Sequence, residues 1–301
     1  MEALRLYQID AFTRERFMGN PAGVVTNAAG LDERQMLLIA RELNNSETAF
    51  VLPAQGPDHD VHVRFFTPTT EVPVCGHATI AAHYALACEA GGATGMRRQL
   101  TGAGVQMVEA ERDGDDLRIV ITQNPPTFAD PLSPAQTQRL AAALGVAPDE
   151  LDPRCPPQFV STGHGKLLVG LRNYRRLRTL TPDPLQLKAL GAEIDSKGFF
   201  AFTLDRGEHD DALTEGRMFA PAIGIAEDPV TGNANGPLGA YLVRHGLVDA
   251  TGPEFSFRAR QATGDGRGGY VDVSVRVDDR QPVGVRIAGH AVTCFQTTLL
   301  P

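Results

Sequence analysis

The chain of 301 residues has few cysteines, and their arrangement excludes two common kinds of protein. The four cysteines are Cys75, Cys88, Cys155 and Cys294. Their wide and irregular spacing fits neither a zinc ribbon nor a disulfide-stabilised secreted scaffold. We therefore expect reduced thiols in a cytoplasmic protein.

Membrane segments and an excess of positive charge are also missing. No stretch reaches the roughly 18 consecutive apolar residues that a membrane-spanning helix requires. The opening MEALRLYQIDAF has no charged region followed by an apolar core, so a signal peptide is not expected. The net charge of −8 makes a general affinity for nucleic acid or for an anionic membrane unexpected.

The residues that are present describe an ordinary folded protein. Hydrophobic residues make up 42% and charged residues 21% of the chain, which is typical of globular domains. The 31 glycines and 21 prolines stay below the share that indicates low complexity. The length is sufficient for two domains.

The two halves of the chain resemble each other. In the first half, Phe66-Thr67-Pro68 is followed by Gly76-His77-Ala78. In the second half, Phe219-Ala220-Pro221 is followed by Gly232-Asn233-Ala234. Because corresponding features lie at similar offsets, we predict two related domains.

The domain boundaries are predicted from a linker-like segment, Asn124-Pro125-Pro126. The first domain is residues 1–124, completed by a C-terminal strand at 286–301. The second domain is residues 125–285. For each we predict a curled β-sheet around one central α-helix, which is an α+β fold.

The two central helices are predicted at Gly76–Ala90 and Gly232–His245. The apolar residues of Gly76–Ala90 surround nearly the whole cylinder, which indicates burial on all sides. A further helix is predicted at Asp32–Asn44, where the apolar residues form one face. Strands are predicted at Leu4–Phe12 and Val283–Ile287, among others.

Small residues begin both central helices, at Val74–Thr79 and Val230–Asn235. A helix start of this kind exposes backbone N–H groups to an anion. Two such starts facing each other across a cleft would bind a carboxylate. The alternative is two ordinary capped helices whose glycines allow close packing.

Two carboxylates are candidates for chemistry. Glu47 enters an apolar strand directly after a helix, where partial desolvation would raise its pKa toward that of a working acid or base. Asp228 lies a few residues before a helix start. The alternatives are a surface glutamate at a strand edge and an aspartate that only caps or turns the chain.

Cofactor motifs are not found. Ser161–Lys166 lacks the spacing of a phosphate-binding loop, and no dinucleotide-binding unit opens the chain. The runs Asp58–His62 and Glu208–Asp211 could hold a metal on paper, but solvated turns explain them better. We expect no metal and no cofactor.

Four motifs together resemble one family. They are GNPAGVV (Gly19–Val25), NNSETAFV (Asn44–Val51), FFTPTTEVPVCGHAT (Phe65–Thr79) and EDPVTGNANGPLGAYLV (Glu227–Val243). In this order they are similar to the PhzF family of phenazine-biosynthesis isomerase-like proteins, which has a diaminopimelate epimerase-like fold. The likeness covers essentially the whole chain.

The resemblance implies a set of site residues in a cleft between the two domains. Glu47, His77 and Asp228 match the catalytic positions of the family. The residues implied to contact the substrate are Asn20, Ser46, Cys75, Gly76, Gly232 and Asn233. The resemblance also implies a homodimer.

Two positions depart from the patterns of the wider superfamily. Related epimerases have a cysteine before each central helix, whereas this chain has Cys75 and Thr231. Since a hydroxyl is a far poorer base than a thiolate, a two-thiol racemase is not expected. Asn233 replaces a serine of the phenazine enzymes, so the phenazine substrate itself is not expected.

These observations predict an isomerase that needs no cofactor and moves a carbon-bound proton on a small carboxylate. Glu47 is the predicted general acid and base, and Glu47, Cys75, His77 and Asp228 are predicted to converge in one pocket. Two alternatives stay open. One is a racemase, epimerase or dehydratase that uses Cys75, and the other is a non-catalytic carboxylate-binding protein.

Overall fold

The computed structural model describes residues 3–207 and 211–299, and the chain forms two compact units. The first unit is Met1–Thr122 together with Ala288–Pro301, and the second unit is Gln123–Ile287. These limits lie two residues from the predicted domain boundaries. None of the helices in the described part of the chain has the length and apolar character needed to cross a membrane.

In its described residues, the first unit contains two helices and eight strands in chain order, together with the C-terminal part of the last strand of the chain. The helices are α1 (Glu33–Leu43) and α2 (Gly76–Glu89). The strands are β1 (Leu4–Ala11), β2 (Asn20–Val25), β3 (Glu47–Pro53), β4 (Val61–Phe66), β5 (Glu71–Val72), β6 (Gly95–Thr101), β7 (Gly104–Asp113) and β8 (Asp116–Gln123).

The second unit contains the remaining elements. The helices are α3 (Pro134–Leu144), α4 (Tyr174–Arg178), α5 (Pro184–Glu193) and α6 (Gly232–Arg244), with 3-10 turns at Pro148–Glu150 and Pro221–Ile223. The strands are β9 (Thr127–Pro131), β10 (Gln158–Ser161), β11 (Lys166–Leu171), β12 (Phe199–Thr203), β13 (Thr214–Ala220), β14 (Ile225–Asp228), β15 (Glu254–Ala262), β16 (Gly268–Asp278) and the first part of β17 (Gln281–Leu299).

The last strand joins the two predicted strand segments, Val283–Ile287 and 286–301, into one. Val283–Ile287 is only the N-terminal part of β17, which continues to Leu299. Within the first unit, β17 pairs antiparallel with β1, from Ala11↔Ala291 to Leu4↔Leu299. This backbone pairing places the C-terminal part of the strand in the first unit.

The two units repeat one order of strand pairing. In the first unit β1–β2 is antiparallel, β2–β3 parallel, β3–β4 antiparallel, β4–β6 parallel and β6–β7 antiparallel. In the second unit β10–β11 is antiparallel, β11–β12 parallel, β12–β13 antiparallel, β13–β15 parallel and β15–β16 antiparallel. The similarity between the two halves of the sequence therefore corresponds to one topology used twice.

A central helix lies within each sheet. Helix α2 contacts β1, β2, β3 and β7, and α6 contacts β10, β11, β15 and β16. Since these strands come from distant places in the pairing order, each sheet curls around its helix. Burial of α2 on all sides follows from its small residues, among them Ala78, Ala81, Ala82 and Ala85. The predicted α+β class, with a curled sheet around a central helix, is confirmed.

Helix α1 is bounded by two caps that the sequence prediction included in the helix. The Asp32 side chain accepts a hydrogen bond from the Gln35 backbone at 2.8 Å, and the Gln35 side chain accepts one from the Asp32 backbone at 2.9 Å. At the other end, Asn44 adopts a left-handed conformation with φ of 53°. A left-handed residue ends the helix and redirects the chain toward β3.

Candidate functional site

Four predicted site residues come together in the first unit around the imidazole of His77. Its Nε2 lies 3.5 Å from Glu47 Oε2 and 3.4 Å from Ser46 Oγ. Its Nδ1 lies 3.4 Å from Cys75 Sγ. The side chains of Glu47 and His77 are 12% and 6% exposed. We call Ser46, Glu47, Cys75 and His77 the His77 cluster.

The strand and the turn before it hold Glu47 in this position. Glu47 is the first residue of β3 and pairs with Ala22 of the parallel strand β2. In the preceding turn, the side-chain amides of Asn45 and Gln8 exchange two hydrogen bonds, at 2.9 and 3.0 Å. The backbone around Glu47 is therefore fixed both by the sheet and by an amide pair.

The start of α2 supplies the other side of the cluster. Cys75 is the N-cap residue, and its side chain makes no capping hydrogen bond. The carbonyl of Cys75 accepts hydrogen bonds from the Thr79 backbone at 3.1 Å and from its hydroxyl at 2.7 Å. Because the first N–H groups of a helix have no partner within it, this end is suited to an anion.

The geometry of His77 allows it to carry a proton between two different groups. A neutral imidazole has one donor and one acceptor nitrogen, and a protonated imidazole has two donors. One nitrogen faces a carboxylate and a hydroxyl, and the other faces a thiol. The cluster thus contains a carboxylate, an imidazole and a thiol in one chain of contacts.

The corresponding place in the second unit is organised around Asp228. The hydroxyl of Thr231, the N-cap residue of α6, donates to Asp228 Oδ2. Gln261 donates to the Asp228 carbonyl at 2.8 Å and accepts from the Thr231 backbone at 2.8 Å. Asn235 also donates to the Gln261 side chain, at 3.0 Å. The wholly buried Gln261 therefore joins β15 to the start of α6.

A second glutamine fixes Asn233. Gln123 donates to Asn233 Oδ1 at 3.0 Å and accepts from the Thr162 hydroxyl at 2.8 Å. This approach requires the glycine at position 236, where a Cβ would lie 2.0 Å from Gln123 Oε1. Sequence reasoning missed both Gln123 and Gln261, because a glutamine distant in sequence gives no signal of the groups it will contact.

The two acidic residues before α6 have different surroundings. Glu227 accepts hydrogen bonds from the Arg217 guanidinium at 2.6 and 2.9 Å, and Arg217 is almost fully buried. The carboxylate of Glu227 therefore forms an ion pair with the buried Arg217. The carboxylate of Asp228 instead accepts from the hydroxyl of Thr231 at the start of α6.

The remaining predicted residues lie at the starts of elements. Asn20 is wholly buried and begins β2, the strand beside Glu47. Gly76 and Gly232 are the first residues of α2 and α6, and Asn233 is the second residue of α6. The His77 cluster and Asp228 belong to different units, and their convergence in one pocket stays a prediction.

The sequence contains two polar runs with metal-ligand residue types, and the structure describes one of them completely. In the run Asp58–His62, His59 Nδ1 lies 2.8 Å from Asp58 Oδ1, and His59 Nε2 accepts from the Gln55 backbone at 3.0 Å. Both nitrogens of His59 are therefore engaged. In the run Glu208–Asp211, residues 208–210 lie outside the described residues.

A protein family and several known proteins match this chain over nearly its entire length. The family of phenazine biosynthesis-like proteins, PhzC-PhzF, matches residues 9–297. An uncharacterised isomerase of Clostridium acetobutylicum is 48% identical over 295 residues, covering 98% of this chain and 97% of that protein. The uncharacterised isomerase YddE of Escherichia coli K12 is 44% identical over 291 residues, covering 97% and 96%.

A solved structure agrees with the fold over its full length. The PhzF-family phenazine biosynthesis protein of Bacillus anthracis superposes with a TM-score of 0.89 at 29% identity, covering 100% of both chains. The predicted family resemblance is thereby confirmed.

Proposed function

Because this chain belongs to the PhzC-PhzF family of phenazine biosynthesis-like proteins and is an isomerase, we propose that it moves a carbon-bound proton within a small carboxylate substrate. Glu47 is the proposed general acid and base. The observation that carries the proposal is the 3.5 Å distance between Glu47 Oε2 and His77 Nε2 at the start of α2.

The proposed reaction begins with proton removal. Glu47 takes a proton from a carbon that is acidified by a neighbouring carbonyl or unsaturated group, and becomes a carboxylic acid. The negative charge spreads over the substrate. Glu47 then returns the proton at a different carbon, so the product is an isomer and no oxidant, reductant or further reactant is consumed.

His77 and the helix start assist Glu47 in this scheme. The imidazole, 3.5 Å from the carboxylate, orients Glu47 and adjusts the charge of the intermediate. The N–H groups at the start of α2, which begins at Gly76, stabilise the carboxylate and the developing negative charge. Ser46 and Asn20 are proposed substrate contacts on the β2–β3 side.

The family resemblance assigns further roles to the second unit. Asp228 is proposed to polarise the substrate, and Gly232 and Asn233 are proposed to bind it. Thr231 is not a candidate for a second acid or base, since its hydroxyl donates to Asp228 and a hydroxyl is a poor base. No metal, flavin or nucleotide takes part in these steps.

The test is a nuclear magnetic resonance screen of small carboxylates in deuterated water, with wild type and Glu47→Gln. We expect deuterium incorporation at carbon with wild type. In Glu47→Gln, which keeps the shape but removes the base, we expect a loss of roughly 10²–10⁴ in turnover with substrate binding retained. The matched control is Glu42→Gln, because Glu42 is an exposed glutamate of α1.

Wild-type turnover in Glu47→Gln would remove Glu47 from the proposal. Binding of a carboxylate without any exchange in wild type would instead favour the non-catalytic binding protein.

A second candidate is a racemase, epimerase or dehydratase in which the thiol of Cys75 is the base. The observation that favours it is the 3.4 Å distance between Cys75 Sγ and His77 Nδ1, which would let the imidazole accept the thiol proton. Cys75→Ser distinguishes the two. If Glu47 is the base, most activity remains. Near-complete loss with unchanged substrate binding assigns the base to Cys75.

A further inference from the structure

The His77 cluster combines three types of metal ligand. Among the residues that the structure describes, Glu47, Cys75 and His77 form a group whose carboxylate oxygen, sulfur and ring nitrogen all lie within 4.8 Å of one another. We propose that this triad binds Zn²⁺ or a similar thiophilic divalent ion, and that the bound ion inhibits the enzyme.

The donor set selects the kind of metal. Sulfur, imidazole nitrogen and carboxylate oxygen are the three ligand types of zinc sites in proteins. Thiolate and imidazole together favour zinc over magnesium or calcium, which prefer oxygen ligands alone. Three protein ligands leave the fourth tetrahedral position open to water or to an anion.

The distances between the ligand atoms are close to those of a tetrahedral zinc site, and a small movement of the sulfur would complete it. Zinc–ligand bonds of about 2.0–2.3 Å place the ligand atoms of a tetrahedral site about 3.3–3.6 Å apart. His77 Nε2 lies 3.5 Å from Glu47 Oε2 and 4.0 Å from Cys75 Sγ. The sulfur now lies nearer to Nδ1, at 3.4 Å, so it must move by about half an ångström toward Nε2.

The surroundings favour ion binding at this place. The ligands come from the N-cap and second position of α2 and from the first position of β3, so two rigid elements present them. The Ser46 hydroxyl lies 3.4 Å from His77 Nε2, close enough to support a water on the fourth position. Deprotonation of Cys75 on binding would give a site of two negative ligands for one divalent cation.

Inhibition follows from the ligands themselves. A Glu47 carboxylate that is bound to a divalent cation has part of its negative charge neutralised, so it is a much weaker base toward a carbon-bound proton. This second part of the inference rests on the proposed function, whereas the binding of the metal does not. Direct detection of the bound metal therefore tests metal binding independently of the proposed function.

The test is a titration of the full chain with Co²⁺ as a spectroscopic substitute for zinc. We expect a near-ultraviolet thiolate-to-cobalt charge-transfer band that zinc abolishes by displacement. Cys75→Ser should lose the band. Glu47→Gln should keep the band but bind cobalt roughly tenfold or more weakly, since even the partners of ligands contribute that much. The control is Cys88→Ser, which removes an exposed thiol at the other end of α2 and should leave the band unchanged.

Absence of the band in wild type, or a band that survives in Cys75→Ser, overturns the site. Circular dichroism of each variant shows whether it folds. If Cys75→Ser does not fold, the cobalt affinity of Glu47→Gln tests the site, and an affinity equal to that of wild type overturns it. Proton exchange without metal binding would refute only this inference. Metal binding, together with an absence of proton exchange on any carboxylate when the protein is metal-free, would refute only the proposed function.

Discussion

At the scale of single residues, the cluster depends on side chains that take no part in chemistry. The reciprocal amide pair of Asn45 and Gln8 holds the turn directly before Glu47. The two side chains bond to each other, and in this way they restrict the backbone that carries Glu47. Catalytic geometry is sensitive to such restriction, because misplacement of a group by about 1 Å can cost 10²-fold in rate.

We predict that Asn45→Ala lowers kcat by roughly 10–10² while the affinity for substrate changes much less. Steady-state kinetics and substrate titration measure the two quantities separately. Asn27→Ala is the control. The Asn27 side chain also makes two hydrogen bonds, with the Arg5 backbone N–H and the Ala3 carbonyl, but it lies on a different turn from Glu47. A kcat for Asn45→Ala equal to that of the control would refute the positioning role.

The buried His83 of α2 gives a residue-scale prediction about pH. Burial lowers the pKa of His83 to about 4, and its Nε2 contacts Gln99 Oε1 at 2.8 Å. The native state therefore keeps His83 neutral, whereas the unfolded chain takes up a proton below its ordinary pKa of about 6.5. Stability from this residue is present above about pH 6.5 and is lost as the pH falls toward 4.

Between about pH 7.5 and pH 5, His83 should account for a loss of about 2 kcal/mol in the free energy of unfolding. Chemical denaturation of wild type and His83→Gln at both pH values measures its share, since glutamine cannot titrate but can still contact Gln99. The prediction is wrong if the two proteins lose the same amount of stability on acidification.

At the scale of elements, the central helices require small residues at particular places. In α6, a Cβ at Gly239 would lie 2.7 Å from Val273 Cγ1 and 2.9 Å from Val275 Cγ2. Both valines belong to β16, so the glycine sets how closely the helix packs on the sheet. An alanine gains roughly 1 kcal/mol of helix propensity over glycine, but the clash opposes this gain.

We predict that Gly239→Ala lowers the free energy of unfolding by about 1–3 kcal/mol, the usual cost of overpacking. Gly252→Ala is the control, since a Cβ there would meet only the Glu254 carbonyl at 3.8 Å, which is ordinary contact. Its stability should stay within about 0.5 kcal/mol of wild type. Urea denaturation compares the three proteins, and equal stability of the two variants would contradict the packing argument.

At the scale of the whole molecule, the family resemblance implies a homodimer. The first unit exposes large aromatic side chains, with Phe17 73% and Phe295 51% accessible. The Arg16 guanidinium donates to the Thr293 carbonyl at 2.9 Å, which joins the segments that carry them. Contiguous exposed apolar patches mark interaction surfaces, and we predict that these two joined segments form the dimer contact.

We predict a species of twice the 32.3 kDa chain mass in sedimentation equilibrium, shifted toward monomer by Phe17→Ser. Leu185→Ser is the control, because Leu185 is 75% exposed on α5 of the second unit. A wild-type protein that sediments only as a monomer would rule out the predicted assembly.

The sequence by itself determined the features that depend on local chemistry. The positions of α1, α2 and α6 followed from apolar spacing and from cap residues, and the similarity of the two halves was visible because both repeat the same helix start. The residues of the His77 cluster were all singled out, since their motifs are specific to one family. The class of enzyme followed from the same motifs.

The tertiary structure decided what depends on contacts between distant residues. The family resemblance predicted that Glu47, Cys75 and His77 lie together. The individual contacts of Ser46, Glu47 and Cys75 with one imidazole depend on where β3 and α2 begin, which only the structure shows. Gln261 and Gln123 acquired their roles only when strands and helices packed, because an amide side chain can bond to almost any polar group. The register of β17 against β1, with its shift between Gln8 and Ile9, was likewise decided by strand pairing, which is made by the backbone.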